Sequence, residues 1–310
     1  MSEGVGYGKV ILFNEHFVVH GIPSLVSAIS SATTAKVEPY HGSGWKMEDK
    51  RPETIGYKKE KLAQQRDSVE RMLRAAGVDA KKTPIKIVLG GDLVAASGVG
   101  ASAASCAAIA RALSGHFNLH LTEERINELA YEGEKAYHGT PSGVDNTAAT
   151  YGGLIWFVRK GGGNEIERIR MKKPVEIVMG NTGIVTDTKA AVAGVKERMG
   201  KEPGRYRRIF NDAEALVHEA RRAIESYDLH RVGGYMDRNH EMLRNIGVSC
   251  KELEFLVELA REHGALGAKL TGGGLGGYMV ALTPGKELQE RVARAIEREH
   301  YRALRAMIGV

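Results

Sequence analysis

The segment 93–104 is rich in small residues and leads directly into a predicted helix. Gly98 and Gly100 allow the backbone to bend sharply and to approach a ligand closely, and the helix that follows offers unpaired amides and the positive end of its dipole. Such a segment can hold a polyphosphate. The alternative is a glycine-rich turn in front of an alanine-rich packing helix, and this segment alone does not decide between the two. The residues that would surround a phosphate are Ser97, Gly98, Val99, Gly100, Ala101, Ser102, Ala103 and Ala104.

Two carboxylates further along the chain could act on a phosphate or on a hydroxyl. Glu134 falls near the end of a predicted helix, where the helix dipole disfavours an anion, so a cation such as magnesium is a fitting partner. The alternative is a solvated glutamate on a helix surface. Asp145 follows a Pro-Ser-Gly turn, which suits either a catalytic base or an aspartate that caps a turn or a helix.

Lys9 opens an apolar strand that ends in a polar cluster, Asn14-Glu15-His16. A lysine within a site can polarise a hydroxyl, whereas a lysine at the edge of a sheet is simply solvated, and both interpretations remain open. His16 and His20 would lie about 13 Å apart on an extended strand, too far to share one metal ion. No HExxH helix pattern is present either, so we expect no metal bound by histidine.

Composition and charge indicate a soluble globular protein with two domains. The 310 residues are 43% hydrophobic and 26% charged, which is ordinary for such proteins. The net charge of +6 suits anionic substrates. Basic residues alternate with glutamate in stretches such as 287–305, as on solvated helices, so nucleic acid is not an expected partner.

Cysteine content and the N-terminal residues predict a cytoplasmic location. Cys106 and Cys250 lack the spacing of a disulfide framework or a zinc site, which favours a reducing compartment. Charged residues interrupt the N-terminal stretch where a signal peptide needs an unbroken apolar run. The uncharged segment 93–110 consists mostly of Ala, Ser and Gly between flanking charges, so no membrane partner is expected.

Hydrophobic periodicity predicts strands and helices in both halves of the chain, which gives the α+β class. The predicted strands are 9–13, 35–40, 85–89, 154–158, 165–170, 175–179, 267–271 and 277–282. The predicted helices are 102–116, 122–137, 187–199, 206–226, 230–245, 249–263 and 286–306. The charged segment 41–82 is a predicted surface excursion with one helical pattern, and its role is left open.

Common nucleotide-binding folds do not fit these segments. The glycines at 98–103 and 272–277 match the pattern Gly-x-Gly-x-x-Gly/Ala, but a dinucleotide fold needs them directly after a strand. The predicted strand 85–89 ends too far upstream, and a second helix follows the first. The sequence contains neither a P-loop motif nor the signature set of protein kinases.

Three segments, in order, resemble the motifs of the GHMP kinases. They are Gly8-Lys9-Val10-Ile11-Leu12-Phe13-Asn14-Glu15-His16-Phe17-Val18-Val19-His20-Gly21, the loop 97–104, and Lys269-Leu270-Thr271-Gly272-Gly273-Gly274. Within that superfamily, the first segment is similar to the branch that phosphorylates mevalonate. So is the catalytic segment His138-Gly139-Thr140-Pro141-Ser142-Gly143-Val144-Asp145-Asn146. With segment 181–189, the resemblance spans nearly the whole chain apart from the excursion.

The resemblance implies a two-domain GHMP kinase fold of the α+β class. Residues 1–174 would form an ATP-binding domain like ribosomal protein S5 domain 2, and residues 175–310 a ferredoxin-like domain. The implied reaction is the ATP-dependent phosphorylation of the 5-hydroxyl of (R)-mevalonate to 5-phosphomevalonate, a step of isoprenoid biosynthesis.

The resemblance also implies a role for each matched residue. Asp145 would take the proton from the substrate hydroxyl, while Lys9 would hold that hydroxyl and stabilise its developing charge. Ser102 and Glu134 would bind Mg²⁺, and the loop 97–104 would cradle the phosphates of ATP, the co-substrate. The residues implied to line the mevalonate pocket are Glu15, His16 and Thr188.

The chain departs from the family pattern in two places. The usual proline and first serine of the phosphate loop are missing, with Ala95, Ala96 and Ala101 near those positions, and Asn14 stands where glycine is common. Ser102 is kept, so the implied metal role is kept with it.

Two other functions remain open at this point. One is another small-molecule kinase of the superfamily, such as a phosphomevalonate or homoserine kinase. The other is a catalytically inactive ligand sensor on the same fold, although such a sensor would be expected to lose Lys9, Glu134 or Asp145. The sequence also leaves a homodimer open.

Overall fold

Two long strands near the N-terminus, β1 (Ser2–Phe13) and β2 (Ser24–Pro39), each contribute residues to both compact units of the chain. Unit 1 comprises Met1–Lys9 and Ala28–Gly152, and unit 2 comprises Val10–Ser27 and Gly153–Val310. The structure, a computed structural model, describes residues 2–96, 98–161, 163–185 and 188–310. The expected domain boundary at 174/175 assumes that each domain is one continuous segment. Unit 2 is instead built from two segments, and the boundary at 174/175 stays a prediction.

The first elements of unit 1 after β2 lie in the predicted excursion: β3 (Trp45–Asp49), α1 (Tyr57–Glu60) and α2 (Leu62–Ala75). They are followed by β4 (Ile85–Gly91), α3 (Ala101–His116), α4 (Glu123–His138) and α5 (Val144–Tyr151). The helical pattern predicted within 41–82 is confirmed by α2. The sequence-based prediction lacks β3 and α5, because β3 is partly exposed along its whole length and α5 is short and poor in large apolar residues.

Alternating apolar residues determine the sheet of unit 1. Ile85, Ile87 and Leu89 of β4 are fully buried. Strand β4 pairs antiparallel with residues 33–39 of β2 and parallel with β3. Helices α2, α3 and α4 share one apolar core with these strands, so the unit has a sheet layer and a helix layer.

The alanine-rich helix α3 packs very close to strand β1. A Cβ at Gly4 would lie 2.3 Å from the carbonyl oxygen of Ala108, and a Cβ at Gly6 would lie 2.0 Å from that of Ala104. Glycine in the strand therefore allows the helix backbone to approach this closely. The close packing fixes the axis of α3 and, with it, the helix N-terminus.

Unit 2 contains β5 (Leu154–Lys160), which pairs antiparallel with β6 (Gly163–Ile169) and with residues 24–27 of β2. Its other elements are β7 (Val175–Asn181), α6 (Thr188–Lys201), α7 (Pro203–Glu225), α8 (Leu229–Asn245), α9 (Lys251–Glu262), β8 (Ala268–Thr271), β9 (Tyr278–Leu282), α10 (Lys286–Arg298) and β10 (Arg302–Ile308). Strands β10, β7, β9 and β8 are neighbours in that order, and each pair is antiparallel. In the second apolar core, the rings of Phe17 and Phe210 meet edge to face at 5.1 Å between centroids.

The predicted terminal helix 286–306 is wrong at its C-terminal end. Helix α10 ends at Arg298, and His300 has a left-handed φ of 63°, which a continuing helix excludes. The following residues form β10, which pairs antiparallel with β7. The Ala, Leu, Arg and Met residues of this segment favour helix locally, but strand pairing overrides that weak preference.

Strands and helices occur in both units, which confirms the predicted α+β class. The uncharged residues 101–110 form the first part of α3 and are buried except for Ser102. Within the part of the chain that the structure describes, no helix is both long and apolar enough to traverse a bilayer.

Candidate active site

A glycine-rich loop, which contains Gly98, Val99 and Gly100 and is called the glycine loop below, precedes helix α3 in unit 1. Gly98 and Gly100 have left-handed φ angles of 96° and 72°, a region that favours glycine. Gly100 directly precedes the first residue of α3. The backbone amide of Lys9 donates to the Val99 carbonyl at 2.9 Å. The loop therefore lies against β1, which begins at Ser2, so Lys9 lies within this strand and does not open it as predicted.

Lys9 and Asp145 form an ion pair in unit 1, with 3.0 Å between Nζ and Oδ1. Lys9 is only 5% exposed, so it is not the solvated edge lysine that the sequence left open. Asp145 lies in the first turn of α5, where the helix dipole favours an anion. Its side chain is 33% exposed. The pair thus joins a buried cation to a carboxylate that a substrate can reach.

Glu134 is a buried carboxylate near the C-terminal end of α4. It is 1% exposed, and its Oε1 has no hydrogen-bond partner among the described residues. Burial, followed by the charge of Asp145, raises the pKa of Glu134 to about 8, while a hydrogen bond from Ser102 and the charge of Lys9 act in the opposite direction. The solvated surface glutamate that the sequence left open is therefore excluded. A cation would compensate a carboxylate buried in this way.

The other residues of the predicted phosphate loop differ in what they can offer a ligand. Ser97 lies outside the described residues. Ala101, Ala103 and Ala104 are buried in α3, and the Ala104 amide already donates to the Gly100 carbonyl at 2.9 Å. The amides of the first helical turn, before Ala104, are the backbone groups that a helix leaves for a ligand. Ser102 is partly exposed in the first turn of α3, with its hydroxyl bonded to Glu134.

In unit 2, Glu15, His16 and Thr188 gather around β8 and the loop that follows it. Lys269 of β8 forms a buried ion pair with the Glu15 carboxylate. His16 Nε2 donates to the Gly273 carbonyl at 2.9 Å, and the Thr188 side chain lies so close to Gly273 that a Cβ there would clash with it. Burial lowers the pKa of His16, so its ring is neutral at pH 7.

Two residues that support this second group have no assigned role in the sequence-based prediction, although Lys269 falls within one of the matched motifs. Lys269 is fully buried, and burial lowers its pKa while the charge of Glu15 opposes that shift. His240 of α8 accepts a hydrogen bond at Nδ1 from the Leu270 amide at 3.2 Å, and burial lowers the pKa of His240 to about 4. A lysine inside an apolar strand is a signal that could have identified Lys269. No sequence pattern links His240 to it.

Asn14, which stands where the family pattern has glycine, has a left-handed φ of 70°. Asparagine adopts this region more readily than most residues with a side chain. Its buried Nδ2 donates to the carbonyls of Pro23 and Ala213, at 2.9 and 3.1 Å. Asn239 Nδ2 donates to Asn14 Oδ1 at 3.0 Å, and the Asn14 amide donates to Asn239 Oδ1 at 3.2 Å. Asn14 thus anchors the segment that carries Glu15.

Asn14→Gly is expected to lower the free energy of unfolding by about 2–3 kcal/mol, because three buried hydrogen-bonding groups lose their partners although glycine suits the backbone. Asn118→Gly is the matched control, since Asn118 also has a left-handed φ, of 51°, but is exposed. That control should change the free energy by less than about 0.5 kcal/mol. Urea unfolding measures both variants, and equal effects would contradict the anchoring role of Asn14.

The structure gathers the predicted site residues into two groups. The unit 1 group consists of Lys9, Ser102, Glu134 and Asp145 beside the glycine loop. The unit 2 group consists of Glu15, His16 and Thr188. The roles of these residues in a reaction stay predictions.

Models of one protein family match both halves of the chain. The GHMP kinases N terminal domain matches residues 63–153, and the GHMP kinases C terminal domain matches residues 220–303. The chain belongs to the GHMP kinase family.

Several relatives of the chain are mevalonate kinases. The mevalonate kinase of Pyrococcus abyssi is 34% identical, over 93% of this chain and 90% of its own length. The crystal structure of L. major mevalonate kinase in complex with R-mevalonate is 39% identical, with a TM-score of 0.95 and coverage of 99% of this chain and 96% of that one. The mevalonate kinase of Methanococcus jannaschii shares the fold, at a TM-score of 0.81, 22% identity and coverage of 99% and 98%. The predicted resemblance is therefore confirmed, and the chain is a kinase with ATP as co-substrate.

Proposed function

We propose that the chain transfers the terminal phosphoryl group of ATP to the 5-hydroxyl of (R)-mevalonate, which yields 5-phosphomevalonate for isoprenoid biosynthesis. The observation that carries this proposal is the pair of Lys9 and Asp145, 3.0 Å apart beside a glycine loop at a helix N-terminus. Such a loop binds phosphate, and such a pair can orient and deprotonate a hydroxyl. The mevalonate kinase relatives support the choice of substrate.

Asp145 and Lys9 act on the mevalonate hydroxyl. The 33% exposed carboxylate of Asp145 accepts the hydroxyl proton, and Lys9 Nζ donates to the same oxygen and stabilises its negative charge. Phosphoryl transfer has a loose transition state, so the alignment of the hydroxyl contributes more than the removal of its proton. Asp145 therefore orients the hydroxyl as much as it acts as a base.

The glycine loop and α3 hold the phosphates of ATP. The left-handed backbone at Gly98 and Gly100 turns the chain at the N-terminus of α3, where unpaired amides and the positive end of the dipole favour anions. The +6 net charge of the chain favours the approach of the same ligand.

Ser102 and Glu134 are the residues that would hold Mg²⁺. The buried Oε1 of Glu134, which has no hydrogen-bond partner in the described part of the chain, fits an oxygen ligand of a cation. The described residues contain no group of three or more His, Cys, Asp or Glu side chains arranged for a metal. Magnesium is commonly bound by one or two carboxylates together with substrate phosphates and water, so this sparse set fits it. When bound, the ion neutralises charge on the phosphates.

Glu134→Gln is expected to raise the KM for ATP in the presence of magnesium about 100-fold, because an amide cannot supply the negative charge that the ion requires. The melting temperature without magnesium should change little, because burial raises the pKa of Glu134 to about 8 and the neutral amide replaces a carboxyl that is mostly protonated at pH 7. Glu132→Gln is the matched control, because Glu132 lies on the same helix but pairs with Lys135 on the surface. A Glu134 variant with unchanged dependence on magnesium would contradict the assignment.

The unit 2 group binds mevalonate in this proposal. Glu15 and His16 are buried and held by Lys269 and Gly273, and His16 Nδ1 has no hydrogen-bond partner among the described residues. That nitrogen and the Thr188 hydroxyl suit a substrate that carries hydroxyl and carboxylate groups.

Release of ADP from the purified chain tests the function. We expect ADP to appear with ATP, magnesium and (R)-mevalonate, and turnover with phosphomevalonate, homoserine or galactose to be at least about 100-fold lower, because a site built to pair one set of polar groups rejects analogues that leave them unpaired. ADP release with only phosphomevalonate or homoserine would favour another kinase of the superfamily. Binding of ATP without any turnover would favour a ligand sensor.

We also infer that the chain works in the cytoplasm. Cys106 and Cys250 are both free thiols, which suits a reducing compartment. The homodimer stays a prediction, and analytical ultracentrifugation of the full chain would test it.

A further inference from the structure

A buried arginine connects the excursion 41–82 with the rest of unit 1. Arg51, which follows β3, is only 6% exposed. Its Nε and Nη2 donate to the two carboxylate oxygens of Asp49, at 3.0 and 2.7 Å. This bidentate pairing compensates the buried charge and directs the third nitrogen, Nη1, towards other acceptors.

The Nη1 atom of Arg51 holds the first turn of α3. It donates to the Ala101 carbonyl at 3.1 Å, to Ser105 Oγ at 2.6 Å and to Thr33 Oγ1 at 3.3 Å. Ala101 is the first residue of α3 and directly precedes Ser102. Because a guanidinium is planar and rigid, these bonds fix the helical turn relative to Asp49.

Residues 52–54 hold the chain on the other side of the glycine loop. The Ala95 amide donates to the Pro52 carbonyl at 2.8 Å, and the Thr54 amide donates to the Ala95 carbonyl at 3.1 Å. Ala95 stands near the position where the family loop has proline, so these bonds restrain a backbone that lacks the rigid ring. The segment 51–54 therefore forms hydrogen bonds with Ala95, before the glycine loop, and with Ala101, directly after it.

We propose that Arg51 is a positioning residue for the bound nucleotide. By fixing the first turn of α3, it sets where the loop amides and the Ser102 hydroxyl meet the phosphates. This inference rests on the proposed function, because it requires the glycine loop to bind ATP. It also assigns a task to part of the excursion, whose role the sequence left open. A loosened turn would have to be ordered when the nucleotide binds, so nucleotide binding should weaken.

The test compares Arg51→Lys with a matched control, Arg111→Lys, in the full chain. Arg111 lies nearer the other end of α3 and also bridges backbone groups, since it donates to the Val5 and Thr150 carbonyls at 2.6 Å each. Lysine keeps the charge at both positions but cannot reproduce the planar fork of donors. The measurements are the Kd of ADP without mevalonate, the KM values of ATP and mevalonate, and the melting temperature.

We expect Arg51→Lys to raise the Kd of ADP and the KM of ATP about 10-fold or more, with the KM of mevalonate changed less than about twofold. Arg111→Lys should lower the melting temperature to a similar extent but keep the Kd of ADP within about twofold. An unchanged Kd of ADP in Arg51→Lys, or an equal rise in both variants, would overturn the proposal.

Ser105→Ala keeps the proposal testable if Arg51→Lys does not fold. It removes one acceptor of Arg51 Nη1 and should raise the Kd of ADP about threefold, so a Kd equal to that of the unaltered chain would overturn the proposal. The ADP measurement needs no mevalonate. A chain that binds ADP but does not phosphorylate mevalonate would therefore contradict the proposed function, whereas unchanged ADP binding in both Arg51→Lys and Ser105→Ala would contradict only the role of Arg51.

Discussion

Asp145→Asn is expected to lower kcat about 10³-fold while the fold stays intact. The amide cannot accept the hydroxyl proton, and it no longer forms an ion pair with the 5% exposed Lys9 that would hold the same hydroxyl. The amide oxygen can still accept a hydrogen bond from Lys9 Nζ, so the free energy of unfolding should fall by only about 1–2 kcal/mol. Steady-state ADP release and urea unfolding measure the two effects.

Asp67→Asn provides the matched control for this prediction. Asp67 also pairs with a cation, Arg71, at 2.8 Å, but both side chains are more than one third exposed on α2. We expect its kcat to stay within about twofold of the unaltered chain, because exposed ion pairs contribute little. Full activity of the Asp145 variant would refute the assignment of Asp145 as base and orienting group.

Lys9→Met is expected to lower kcat about 10²–10³-fold, because it removes the donor that stabilises the charge developing on the hydroxyl oxygen. Methionine fills the space of the aliphatic part of the lysine side chain. Asp145 is 33% exposed and stays hydrated without its partner, so stability should change by no more than about 1 kcal/mol. The double variant with Asp145→Asn should lose little more than the stronger single variant, because the two residues act as a unit.

Lys36→Met is the control for the lysine variant. Lys36 lies on β2 in the same unit, and its exposed Nζ is 3.7 Å from Glu3. The kcat of the Lys36→Met variant should stay within about twofold of that of the unaltered chain. Additive losses in the double variant of Lys9 and Asp145 would show that the two side chains contribute independently and not as a unit.

The sequence predicted the residues of the candidate site better than their partners. Lys9, Glu134 and Asp145 could be proposed because each is a charged residue next to motifs of one family, and Glu134 and Asp145 also lie near helix ends. The ion pair of Glu15 with Lys269 joins residues 254 positions apart, and no local pattern encodes such a contact. For the same reason the hydrogen bonds of Arg51 to α3 could not be predicted.

Elements with strong periodicity were predictable, whereas elements that depend on a distant partner were not. The predicted helix 230–245 differs from α8 (Leu229–Asn245) by one residue, because its apolar residues recur with the helical period. Strand β10 has the composition of a helix and becomes a strand by pairing with β7. Composition along the chain also does not reveal that Val10–Ser27 belongs to unit 2.

Because Val10–Ser27 belongs to unit 2, this segment is synthesised long before most of the unit into which it folds. Phe17 belongs to the same apolar core as Phe210, so it leaves the ribosome long before the partner that covers it. At about 5–20 residues per second, the delay is roughly 10–40 s. During this interval the nascent chain carries exposed apolar residues that attract chaperones, and premature termination anywhere before α7 releases a polypeptide prone to aggregate.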